Sequence, residues 1–150
     1  MQLPKSILAL TLAFFISPIY AQASGAITCF GGSPANVLAS DWTNLASDFQ
    51  DLINQGEVSD LLAETSSKLS SQLVKVEGTA RLEVDNFFLF ATTHLVLANL
   101  VEAIQEVQAQ CCGDFSMCIG GGGKILGDDG LSLDFIITNP ANANLIGETE

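Results

Sequence analysis

The sequence predicts an all-α domain: a three-helix disulfide-stapled bundle with a long central apolar helix and a Gly-rich acidic C-terminal tail. Three observations predict it. Leu38, Trp42, Leu45, Phe49 and Ile53 recur at helical spacing. Val58, Leu61, Leu62, Thr65, Leu69, Leu73 and Val76 do so again. Residues 80–110 then contain no glycine or proline to break a helix.

In chain order, residues 1–23 read as a secretory signal peptide. Lys5 supplies the positive end, Ile7–Ile16 the uncharged apolar run, and Ala21-Gln22-Ala23 the small-residue cleavage pattern. The run is too short to cross a bilayer, which takes about 20 apolar residues. The mature protein is expected to begin near Ser24 and to be secreted, without a transmembrane segment.

Residues 24–119 are expected to form the helical disulfide-bonded domain. Ser33-Pro34 is a helix-start pair, and Gly56 stops the first helix, over 36–55. The second, 57–77, sets Ser66, Ser67, Ser70 and Ser71 mostly opposite its apolar stripe and ends at Gly78. The third, 79–110, is capped by Thr79. Its middle, Phe87 to Ala91 and Leu95 to Ala98, is apolar nearly all round, as in a central buried helix or one that meets lipid.

Residues 120–150 are expected to be a flexible acidic tail, dispensable for folding. Gly120 to Gly123 and the nearby Gly127 and Gly130 lose much entropy on ordering. Within the tail, Leu131, Leu133, Phe135 and Ile137 alternate, which allows one short strand.

Four cysteines, Cys29, Cys111, Cys112 and Cys118, follow the leader, an even number that predicts two disulfides. Neighbouring cysteines sit too close to bond each other, so Cys111 and Cys112 take different partners. The preferred pairing is Cys29–Cys112 with Cys111–Cys118; the alternative exchanges the members of the doublet.

The formal charge is −12 at pH 7, and losing Lys5 with the leader makes it one unit more negative. That argues against nucleic acid and anionic membranes as partners, since both need Lys and Arg. Candidate chemistry is sparse. His94, the only histidine, lies on the most apolar stretch and reads as structural rather than catalytic. The cysteines lack the spacing of a zinc site, and Asp128, Asp129 and Asp134 depart from a calcium loop, so no metal or other cofactor is expected.

The sequence therefore points to a secreted, non-enzymatic binding protein with an apolar partner: a lipid-like ligand, an apolar surface or an oligomer interface. Its candidate contact residues are Phe87, Phe88, Phe90, Leu95 and Leu97. The alternative is an effector or toxin-like protein acting on another organism's protein through its acidic face.

Overall fold

The computed structural model of the chain describes residues 26–30, 36–57, 61–63, 72–87 and 93–141, with only the backbone of 61–63, 72 and 73. The predicted leader at 1–23, most of the predicted second helix, Phe88 and Phe90 lie outside the described residues.

The first predicted helix forms, as α1 (Ala39–Asn54). It buries Trp42, Leu45, Ala46 and Phe49 along one stripe, and Gly56, at a φ of 92°, follows its C-terminal turn. From there the fold departs from the all-α expectation, which is wrong. Among the described residues, most of the remaining elements are strands in antiparallel sheets, and one further α-helix follows. Where a helix was expected over 57–77, the described residues form β3 (Leu61–Ala63) and β4 (Gln72–Glu77). The expected third helix, 79–110, divides into β5 (Ala80–Asp85), β6 (Thr93–Leu95) and α2 (Leu97–Cys112).

The reason is legible in β5. Ala80, Leu82 and Val84 are buried while Arg81, Glu83 and Asp85 are half-buried, a strict two-residue alternation. A helix would have scattered these residues round its axis. The turn before it seals the choice: Glu77 pairs with Ala80, so Gly78 and Thr79 form a two-residue hairpin loop. Gly78 takes a φ of 53°, the left-handed conformation that such tight loops need and glycine adopts without strain.

The tail is not flexible in its first half. Gly121–Leu126 form β8 and Ser132–Thr138 form β9, after the short β7 (Met117–Cys118). With β1 (Thr28–Cys29) they build the main sheet in the order β1-β8-β9-β5-β4, all neighbours antiparallel. The supposed tail thus provides two of its three inner strands. Two smaller pairings flank it: β2 (Val37–Leu38) with β7, and β3 with β6.

The glycine run is a close-packing device. A Cβ on Gly121 would lie 2.7 Å from a Val107 methyl and 2.8 Å from the Cys111 sulfur of α2. A Cβ on Gly122 would lie 2.3 Å from the Phe135 carbonyl oxygen in the next strand. Glycine in a strand commonly marks such an approach of other atoms. Gly122→Ala is accordingly expected to cost about 1–3 kcal/mol through overpacking, because backbone has to move. A chemical denaturation midpoint equal to that of the wild type would count against this packing.

Both helices cover one face of the sheet. Leu82, Val84, Ile125, Leu133, Phe135 and Ile137 meet Trp42, Leu45 and Phe49 of α1 and Leu100, Ile104 and Val107 of α2 in one core. The Trp42 indole N–H, fully buried, donates to the Ile104 carbonyl of α2 at 3.0 Å, so its one polar group is satisfied.

Two disulfides close the structure, Cys29–Cys111 and Cys112–Cys118. The preferred Cys29–Cys112 with Cys111–Cys118 is therefore corrected to the exchanged pairing. Helix geometry explains it. Cys111 lies one turn beyond Val107, and both stand over Gly121, which pairs with Cys29. Cys112 is turned about 100° further round the helix, toward the returning β7.

Candidate functional site

The end of α2 and the start of α1 meet at a small apolar surface. Gly113, at a φ of 56°, stops α2, and the chain returns through Cys118, which is bonded to Cys112. The Phe115 N–H donates to the Cys112 carbonyl at 3.1 Å, closing a tight turn. The Ser116 carbonyl accepts from the Ala39 N–H at 3.0 Å, which satisfies one free donor at the start of α1. β7 then pairs with β2, with Leu38 opposite Met117 and Val37 opposite Cys118.

This arrangement sorts the side chains. Val37 and Cys118 turn inward and are buried. Phe115, Met117 and Ile119, at every second position, are exposed at 76%, 46% and 39%, and Leu38, opposite Met117, at 39%. Opposed residues in an antiparallel pair share a face, so Leu38 and Met117 stand side by side.

The residues singled out from the sequence are placed differently. Leu95 and Leu97 belong to the core, each 1% exposed. Phe87, just after β5, is 53% exposed. Sequence reasoning missed Leu38, Phe115, Met117 and Ile119. The alternation of Phe115-Ser116-Met117-Cys118-Ile119 was the available signal, masked by treating the cysteines there only as covalent ties.

A polar network braces the same end of α1. The Leu38 N–H donates to the Thr79 hydroxyl oxygen, and the Thr79 hydroxyl and N–H both donate to Asp41 Oδ2, each at 2.7 Å. These bonds, the Thr79 N–H foremost, hold the Asp41 carboxyl below its ordinary pKa.

A second network ties β6 to the β8–β9 turn. Asp128 Oδ2 lies 2.9 Å from His94 Nδ1, and Asp128 Oδ1 accepts from the His94 N–H at 3.0 Å. The Thr93 hydroxyl, in a buried residue, lies between both carboxylates, 2.5 Å from Asp129 and 3.2 Å from Asp128. The His94 N–H lowers the Asp128 pKa most, and the Thr93 hydroxyl that of Asp129. The geometry orients an imidazole, and the adjacent Thr93 hydroxyl is engaged by both carboxylates. It is a clamp between two elements.

All three carboxyls are depressed, so the stability they provide is fully present above the ordinary carboxylate pKa of about 4 and is lost as pH falls through their folded values. Wild type is expected to lose more stability between about pH 6 and pH 3 than Asp41→Asn does. Parallel profiles from denaturant melts would contradict this.

A cleft of about 410 Å³ opens on the other sheet face above Gly122, between Thr28 and Ile136, with Phe30 among its lining residues. Lys124 and Asp134, in its wall, already pair with each other at 3.3 Å. Lys75 pairs with Asp48 and Arg81 with Glu83, so every cation among the described residues faces a carboxylate. Among these residues no three His, Cys, Asp or Glu side chains are grouped to hold a metal ion, and no helix is long and apolar enough to cross a membrane. The two disulfides are consistent with an extracellular protein. No protein-family model matches the chain, and no curated protein matches it either.

Proposed function

We propose that this is a secreted, non-enzymatic interaction protein that engages an apolar partner. One observation carries the reading. Phe115 and Met117, on a disulfide-closed turn, are exposed together with Ile119, which follows it, and Leu38, which pairs with Met117 from β2. Large apolar side chains that are exposed singly need no explanation, but grouped ones rimmed by polar residues mark contact sites. The turn is braced by its bridge, by the Phe115 N–H bond and by the tie to α1. A braced turn loses little freedom on binding, so its contacts cost less. The leader predicted at 1–23 and the two disulfides are what favour secretion.

The test is adsorption of the oxidised protein to octyl-coated beads. The double variant Phe115→Ser, Met117→Ser is expected to bind at least about fivefold more weakly at an unchanged melting temperature, since both side chains are exposed and not part of the core. Equal adsorption of the two proteins would remove the basis for the proposal.

A further inference from the structure

We infer that Met117 is a modification site: peroxide converts its thioether to the sulfoxide, and the polar product weakens the contact of the turn with an apolar partner. The modification stands on the chemistry and exposure of one side chain. Its effect on contact rests on the interaction reading above.

Reactive sulfur is sparse in this chain. It has two methionines, and Met1 lies in the predicted leader, so the mature form keeps Met117 alone. All four cysteines are bonded, as Cys29–Cys111 and Cys112–Cys118, which leaves no thiol to react ahead of it. The other side chains prone to oxidation are withdrawn. Trp42, the single tryptophan, is fully buried, and its indole N–H donates to the Ile104 carbonyl. Tyr20, the single tyrosine, belongs to the predicted leader. Met117 is 46% exposed. A mild oxidant therefore meets one readily oxidised side chain on the mature protein.

Position gives that chemistry a consequence. Met117 stands in β7 opposite Leu38, directly before Cys118 and two residues after Phe115. β7 keeps its place through pairing with β2 and through the Cys112–Cys118 bridge, neither of which uses the thioether. Oxidation changes the surface and leaves its support intact. In the step, the methionine sulfur attacks one oxygen of hydrogen peroxide and the O–O bond breaks. The departing oxygen takes up the proton left on the transferred one and leaves as water. Sulfur loses two electrons and peroxide gains them. A flexible apolar side chain becomes a polar, chiral one. Beside Leu38 there is then a strong hydrogen-bond acceptor, which an apolar partner has to strip of water without replacing the bond.

The experiment treats the mature, disulfide-bonded protein with hydrogen peroxide in the absence of thiols. Peptide masses, melting temperature and octyl-bead adsorption are measured before and after. One added oxygen is expected, mapped to Met117, at an unchanged melting temperature, with adsorption weakened about threefold. In Met117→Leu the same treatment is expected to add no oxygen and to leave that variant's own adsorption as it was before treatment. Oxygen appearing first on another residue overturns the site. Equal adsorption of the sulfoxide and the untreated protein, or an equal loss in Met117→Leu, overturns the effect on contact. So does a fall in melting temperature that accompanies the loss, because unfolding is then responsible. Failure of the untreated protein to adsorb strikes the apolar reading itself, and the effect on contact with it, while the mapped oxygen still decides the site.

Discussion

A chain ending at Gly121 is expected not to fold cooperatively. The truncation deletes nearly all of β8 and all of β9, and β9 lies at the centre of the main sheet between β8 and β5. It takes Ile125, Leu133, Phe135 and Ile137 from the core, each no more than 1% exposed. Losing a single buried side chain of this size costs about 2–5 kcal/mol. Four together exceed the roughly 5–15 kcal/mol by which a domain is stable. The strands left behind cannot compensate. β4 and β5 would remain as an isolated hairpin, which is marginal in water, and β1 would have no partner. The inward stripes of α1 and α2 would face solvent. The expected readouts are no sigmoidal melt, rapid proteolysis and binding of an apolar dye. A truncated chain that melts cooperatively near the wild-type temperature would refute the sheet order.

The opposite outcome follows from the sequence read by composition, and the contrast locates what a sequence hides. Glycine carries two physical meanings, high entropy in a free chain and small size in a crowded one. Gly120 to Gly123 read as the first because nothing local announces that α2 and its disulfide press on Gly121 and the Phe135 carbonyl on Gly122. Periodicity misleads in a similar way. In a short window, helical steps of three and four and the strand's step of two share positions. Leu73 and Val76 fit a helical stripe, while Leu82 and Val84 alternate cleanly but follow no breaker except Gly78. Where the window is long the reading holds: Trp42, Leu45 and Phe49 mark the buried face of α1, and Ile104 and Val107 that of α2. The candidate contact residues show a related limit. Leu95 and Leu97 drew attention as part of an unbroken apolar stretch, and such stretches are what a core strand and a core helix are made of. The exposed apolar residues are instead spread among Ser116 and Cys118 in a turn whose shape depends on a disulfide.

The two bridges should separate cleanly by experiment. Replacing Cys29 and Cys111 together by serine removes a link across a sequence separation of 82. In the chain-entropy model a loop of that size is worth about 4.5 kcal/mol. For a domain of this length that corresponds to a fall in melting temperature of about 15 °C. The local structure adds to the loss. β1 pairs with β8 over only two residues, Thr28 with Gly122 and Cys29 with Gly121, so the bridge to α2 is a main tie holding this segment in place. Replacing Cys112 and Cys118 opens a link of separation 6, worth about 2 kcal/mol by the same reasoning. The second variant should therefore melt well above the first. Its effect should fall on the Phe115 turn, which loses its brace and adsorbs more weakly to octyl-coated beads while the sheet and both helices persist. Removing both members of each pair leaves no odd thiol to exchange with the Cys111-Cys112 doublet. If the Cys112/Cys118 variant proves the less stable of the two, chain entropy does not govern these bridges. The turn at 113–117 would then be part of what holds α1 and α2 together, through the Ser116 carbonyl and the Ala39 N–H.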